Sequence, residues 1–199
     1  MDFDKSRLRR EFSDRRKALS VEERSAGSQK ICDYIRQLPE FRRCSCVGAF
    51  SALGPEPDLQ SLFGSKRWFL PRFNQVEQLY EMVEITDPSS QLVIGKYGIC
   101  EPHPELPAAS AKWCRQELLY LIPAVSCARN GVRLGRGGGY YDRLLSGNIQ
   151  AHVGVIFSCQ LAEELPRCDH DIVMDLIVTE QEIINCRSSV AGAVPEESE

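Results

Sequence analysis

The chain has 199 residues, 43% of them apolar and 26% charged, with a formal net charge of −4. Such a chain is one globular domain with a substantial core, and this composition excludes low-complexity and collagen-like classes. The slightly acidic balance gives no global pull toward nucleic acid or an anionic membrane. No apolar run is long enough to cross a bilayer, and the first residues lack a signal-peptide core. The start is rich in Lys and Arg, but Asp2, Asp4, Glu11 and Asp14 set it apart from a transit peptide, so the cytoplasm is the expected location.

Taken in chain order, Asp4 to Leu19 reads as a helix with Leu8, Phe12 and Leu19 inward and its basic residues outward. Ser20-Val21-Glu22-Glu23 is a capping box, which predicts a second helix to about Leu38, closed by Pro39. Cys46 to Phe50 is a short buried strand, and Asp58 caps a short helix carrying Leu59, Leu62 and Phe63. Trp68 to Pro71 and Leu79 to Ile85 follow as strands, then a loop with isolated pairings from Asp87 to Pro107. Leu118 to Pro123 is apolar throughout, the pattern of a strand buried on both faces of a parallel sheet. A glycine loop and a helix through Leu144 and Leu145 come next. Val153 to Phe157 is a strand, Ser158 to Leu165 helical, and Leu176 to Thr179 the last strand. Together these predict an α/β, three-layer fold with a mostly parallel sheet flanked by helices, one domain over residues 1–187 and a disordered tail over 188–199.

The nine cysteines contain no C-x-x-C pair, and His103, His152 and His170 do not cluster with them. Packed, reduced thiols are therefore expected in place of a zinc site or a disulfide framework.

The densest chemistry lies in Arg133-Leu134-Gly135-Arg136-Gly137-Gly138-Gly139-Tyr140-Tyr141-Asp142-Arg143. Four glycines in five positions leave backbone N–H groups uncovered, a nest for anions, and the arginines supply fixed charge suited to phosphate. The run is neither a Walker A loop nor a dinucleotide fingerprint, since Tyr140 stands where the third glycine should be.

This run, about ten residues after an apolar strand ending in Pro, resembles the signature of the 5-formyltetrahydrofolate cyclo-ligase (5,10-methenyltetrahydrofolate synthetase) family. The likeness extends from Lys5, Leu8, Arg9 and Arg16 through Glu56-Pro57-Asp58, Phe69-Leu70-Pro71-Arg72 and Tyr97 to Pro102. It continues through Gln160-Leu161, Leu165-Pro166, His170-Asp171 and Val178-Thr179-Glu180. It implies ATP- and Mg²⁺-dependent closure of 5-formyltetrahydrofolate to 5,10-methenyltetrahydrofolate, with release of ADP and phosphate. By that resemblance Lys5, Arg9 and the run Arg133, Leu134, Gly135, Arg136, Gly137, Gly138, Gly139, Tyr140 and Tyr141 bind ATP. Asp142 and Asp175 hold Mg²⁺, and Arg136, Tyr141 and Asp142 are the expected catalytic residues. Glu56, Phe50, Leu53, Trp113 and Tyr141 are expected to bind the folate, and Arg72 to meet either phosphate or the folate's glutamate tail. The remaining N-terminal cations are expected at the surface, and a monomer working on small molecules alone is the expected state.

One departure stands out. The family reads Pro-Gly-x-Ala-Phe-Asp where this chain has Pro123-Ala124-Val125-Ser126-Cys127-Ala128. Loss of that Asp costs about 1–3 kcal/mol of ATP binding if it positions the glycine loop, and little if Asn130 takes over. An alternative is therefore a folate- or nucleotide-binding relative without turnover. A sugar-phosphate isomerase is less well supported, because no acid–base pair is evident.

Overall fold

The computed structural model describes residues 4–187 apart from 65, 96–97, 110–117, 140, 142–143, 145–150 and 169–170. Helix α1 (Lys5–Lys17) is capped by Asp4, whose carboxylate accepts from the N–H groups of Ser6 and Arg7. Helix α2 (Val21–Gln37) opens on the expected capping box, with Ser20 Oγ accepting from Glu23 N–H and the Glu23 carboxylate accepting from Ser20 N–H. Pro39 does more than stop α2. It occupies the first turn of a short helix α3 (Pro39–Arg43), where a missing N–H is harmless.

The strands are β1 (Cys46–Gly48), β2 (Arg67–Asn74), β3 (Leu79–Ile85), β4 (Leu92–Ile94), β5 (Cys100–Pro102), β6 (Leu118–Pro123), β7 (Ser126–Ala128), β8 (Arg133–Leu134), β9 (Ala151–Val155), β10 (Leu161–Ala162), β11 (Leu176–Val178) and β12 (Ile183–Asn185). Seven of them form one sheet in the order β12-β11-β9-β6-β1-β2-β3. Its inner members run parallel, and only the edge strands β3 and β12 are antiparallel. The expected α/β fold with a mostly parallel sheet is the observed one.

Strand β6 shows why. Leu119 and Leu121 pack with Ile31 and Ile35 of α2, while Leu118, Tyr120 and Ile122 pack with Phe69, Met82, Tyr141 and Leu144 on the other face. Each fully buried aliphatic side chain contributes about 1.5–3 kcal/mol, so a strand apolar on both sides is stable only where both faces of the sheet are covered. A third cluster joins Leu8 and Phe12 of α1 to Val125, Val132 and Leu134, so α1 is seated on the β7–β8 hairpin that leads into the glycine loop.

Three stretches differ from expectation. Residues 87–107 are not all loop, for a short helix α4 (Pro88–Gln91) leads into the β4–β5 hairpin. Strands of three residues are too short to show an alternation. Ser158 to Leu165 is not helical beyond one 3₁₀ turn, Ser158–Gln160. The buried Gln160 side chain donates to the carbonyls of Ala124 and Val125 and accepts from Phe157 N–H, and β10 then pairs with β7. The helix expected after Asp58 is likewise a single 3₁₀ turn, Gln60–Leu62, with Asp58 accepting from Gln60 N–H. No helix of the described residues is long and apolar enough to cross a membrane. The described cysteines are free thiols, most of them buried.

Candidate active site

A cavity of about 660 Å³ opens at the carboxyl ends of β1 and β6, where parallel sheets collect ligands. One wall is apolar, with Phe50, Leu53, Pro71, Tyr80, Tyr141 and Leu144. The other carries Lys5, Arg9, Arg133 and the loop Gly135 to Gly139.

The cationic wall is built by the docking of α1. Leu8 and Phe12 bind the helix to the hairpin, and the 4-residue step from Lys5 to Arg9 turns both cations toward the loop. Arg9 Nε donates to the carbonyl of Gly135 at 2.9 Å. Gly137 sits at φ +98°, a conformation that favours glycine, and a Cβ there would stand 3.3 Å from the Arg9 guanidinium carbon. Lys5 Nζ reaches Cys168 Sγ at 3.2 Å and Asp171 Oδ2 at 3.4 Å, and these partners hold its pKa above the ordinary lysine value against partial burial. Arg133 lies over the Tyr141 ring, 5.6 Å from its centroid. Burial, and then the charge of Glu56, push the Tyr141 hydroxyl well above the ordinary phenol range, so it remains a neutral donor.

Glu56 faces this wall from the turn after β1. Its Oε2 accepts from Leu53 N–H at 2.9 Å, and its Oε1 accepts from Arg136 Nη2 at 2.6 Å. Arg16 Nη1 lies 3.6 Å from the same oxygen. Arg16 corrects the expectation of a surface cation, since it is only 5% exposed and also donates to the Ala124 carbonyl at 3.4 Å. The sequence marks its face of the helix but not what that face meets. Lys5, Arg9, Phe12 and Arg16 follow one another at helical spacing and mark one face of α1.

The structure thus brings Lys5, Arg9, Phe50, Leu53, Glu56, Arg133, Leu134, Gly135, Arg136, Gly137, Gly138, Gly139 and Tyr141 to one cavity. Asp171 and Glu101 line it too, and sequence reasoning assigned neither a role there. Trp113, Tyr140 and Asp142 lie outside the described residues. Asp175 is not brought to the cavity. It precedes β11 at the opposite end of the sheet, where it accepts from His152 N–H at 2.7 Å and from Arg187 Nε at 2.9 Å. Desolvation opposes its charge, but those hydrogen bonds prevail and hold its pKa well below the usual carboxylate range. Arg72 is also committed elsewhere. It pairs with Glu81 at 2.6 Å and donates to the carbonyls of His103 and Leu106, which pins that loop.

The altered stretch before the glycine loop is closed by other means. Cys127 and Ala128 are fully buried, and burial pushes the Cys127 thiol up to about 12. Asn130 Oδ1 accepts from Val132 N–H, while Ala128 N–H donates to the Val132 carbonyl and Gly131 N–H to that of Ala128. Gly131 is required here. It sits at φ +88°, and a Cβ would meet the Met174 carbonyl oxygen at 2.5 Å.

A family model for the 5-formyltetrahydrofolate cyclo-ligase family matches residues 2–180. The chain is 30% identical over 178 residues to the 5-formyltetrahydrofolate cyclo-ligase of Escherichia coli K12, covering 85% of this chain and 96% of that one. It is similar to the solution structure of 5,10-methenyltetrahydrofolate synthetase from Aquifex aeolicus, with TM-score 0.79, 33% identity and 93% and 94% of the two chains covered. The 5,10-methenyltetrahydrofolate synthetase of Mycoplasma pneumoniae shares the fold, with TM-score 0.68 at 23% identity over 89% and 99% of the two chains.

Proposed function

The chain belongs to the 5-formyltetrahydrofolate cyclo-ligase family, and from that premise we propose that it closes 5-formyltetrahydrofolate to 5,10-methenyltetrahydrofolate at the expense of ATP. The observation that carries the reading is the polarity of the cavity. Its lining brings cations and the glycine loop together, fit for a triphosphate, and the buried carboxylate of Glu56 meets them beside apolar side chains. A pterin offers the N–H donors that such a carboxylate accepts, and its rings suit Phe50, Leu53 and Tyr141.

The chemistry needs no nucleophilic side chain. A formamide oxygen is a poor leaving group. Transfer of the γ-phosphoryl group to it gives a phosphate ester, nitrogen 10 attacks the formyl carbon, and phosphate leaves with the former formyl oxygen. The protein's task is to align the γ-phosphoryl group with that oxygen and to balance the spreading negative charge. Lys5, Arg9, Arg133 and Arg136 supply that charge, and the Tyr141 hydroxyl is a neutral donor between the two substrates.

Mg²⁺ is proposed with the nucleotide. No group of three or more His, Cys, Asp or Glu suited to a metal occurs among the described residues, and two of the three cavity carboxylates, Glu56 and Asp171, face cations. An ion that arrives on ATP phosphates needs only one or two protein carboxylates, with water and phosphate as the remaining ligands. Asp142 is the proposed carboxylate, and the ion would shield the phosphoryl oxygens during transfer.

Mixing the protein with MgATP and 5-formyltetrahydrofolate should give the near-ultraviolet absorbance of the methenyl product and one phosphate per product. Absence of both at high protein concentration overturns the reading. Binding of the two ligands by calorimetry without phosphate release would show a relative without turnover.

A further inference from the structure

We infer that Arg16 is a positioning residue for the folate, acting through Glu56; the inference rests on the function proposed above. Glu56 stands between two arginines of different character. Arg136, on the glycine loop, has a side chain 53% exposed, whereas the side chain of Arg16, on α1, is 6% exposed. Both address the same oxygen, Oε1, since Oε2 is taken by Leu53 N–H.

This arrangement cannot persist through the reaction. An arginine that serves the nucleotide's phosphates and a carboxylate that serves the pterin's N–H groups are here bonded to each other at 2.6 Å. When phosphates draw Arg136 away, Glu56 becomes a buried carboxylate with one remaining countercharge. Lacking that too, it would be a buried carboxylate without a countercharge, an unfavourable state that would displace it from the place where it accepts from N–H donors. Arg16 prevents this. Burial lowers its pKa while Glu56 opposes the shift, yet a guanidinium keeps its charge. Two guanidinium groups of the described residues lie within 3.6 Å of the Glu56 carboxylate, Arg16 from α1 and Arg136 from the glycine loop, and Tyr141 is close enough to feel its charge.

The way Arg16 is held agrees with a role beyond packing. It makes one long hydrogen bond, 3.4 Å to the Ala124 carbonyl, and its buried Nε–H has no acceptor among the described residues. A cation kept only to brace the fold would be expected to satisfy its donors. Arg16 leaves one unsatisfied and places its charge beside Glu56.

The test is steady-state kinetics on R16M, R16Q and R16K, with each substrate varied at saturating levels of the other. R16M and R16Q should raise the KM for 5-formyltetrahydrofolate at least tenfold while the KM for ATP stays within about twofold. R16K, which restores the charge, should stay within about threefold of wild type for the folate. R16Q keeps a donor for the Ala124 carbonyl, so it decides the matter if R16M does not fold. A folate KM within threefold of wild type in R16Q overturns the inference. So does a parallel rise of both KM values, or an R16K as impaired as R16Q. A wild-type protein without turnover overturns the parent reading, and this inference with it.

Discussion

Two carboxylates pair with arginine at opposite ends of the sheet, in different surroundings. Glu56, at the carboxyl ends of the strands, shares one oxygen between Arg16 and Arg136 in a cavity whose other cations, Lys5, Arg9 and Arg133, outnumber the acids facing them. Asp175, at the amino ends, has one oxygen on His152 N–H and the other on Arg187, which also reaches Glu40 at 3.6 Å. At the Asp175 end two carboxylates, Asp175 and Glu40, share the guanidinium of Arg187, and among the described residues no cation is left over there. At the Glu56 end the described residues carry an excess of cations that a polyanionic ligand would balance. The contrast teaches that a carboxylate paired with arginine points to a ligand only where cations are left in excess around it.

The largest expected effect falls on Glu56. E56Q should lower kcat/KM for the folate by about a hundredfold, roughly 2.7 kcal/mol of transition-state binding, and leave the KM for ATP nearly unchanged. If E56Q retains wild-type kinetics, the contrast between the two ends collapses. D175A should do the reverse. It strands the buried-edge N–H of His152 and removes a partner of Arg187, at about 1–3 kcal/mol of stability measured by denaturant melts, with kcat and KM kept. Its pH dependence has a fixed sign. The pKa of Asp175 is depressed in the fold, so its contribution is fully present above the unfolded carboxylate value of about 3.9 and is lost as pH falls through the folded one. Stability curves of wild type and D175A should therefore converge below about pH 4 and run parallel at neutral pH.

R136A sharpens the comparison from the exposed side of the Glu56 pair. Its side chain is half in solvent, so stability should change by less than about 0.5 kcal/mol, while kcat/KM for ATP should fall about tenfold. A large loss of stability with unchanged kinetics would make Arg136 a structural partner like Arg187.

Much of the frame was legible because its signals are local. Ser20 to Glu23 announces a helix start through two reciprocal hydrogen bonds, and Leu118 to Pro123 announces a central strand because apolar residues fall on both faces. The glycine run was legible because bare N–H groups beside arginines suit few purposes other than anion binding. Arg16 was not, since helical spacing puts it on the face of Phe12 and Arg9 without saying what that face meets. Pairing within residues 87–107 was expected, but the bounds of the β4–β5 hairpin, and β10 altogether, were not legible because strands of two or three residues are fixed by their partners. Asp175 was misassigned although chain direction held the answer. A residue just before a parallel strand lies at the end opposite the ligand.

The smallest expected effect concerns the stretch that departs from the family pattern. Ala128 is fully buried with Leu134 and Phe12 and serves the packing that seats α1, while Cys127 is fully buried on the other face, among Ile122, Ile156 and Met174. What the turn needs is an acceptor for Val132 N–H, and Asn130 supplies it at 3.2 Å. The turn also holds two backbone hydrogen bonds and a glycine at positive φ, so the side chain is one of several restraints. N130A should therefore cost about 1 kcal/mol of stability and raise the KM for ATP by less than about threefold, with the folate KM unmoved. An ATP KM raised tenfold or more would mean that Asn130 alone sets the glycine loop. The cationic end of the cavity would then depend on one hydrogen bond three residues before the loop, about 10 Å of chain, and not on the docking of α1. Unchanged stability would instead assign the turn's geometry to Gly131 and its backbone bonds.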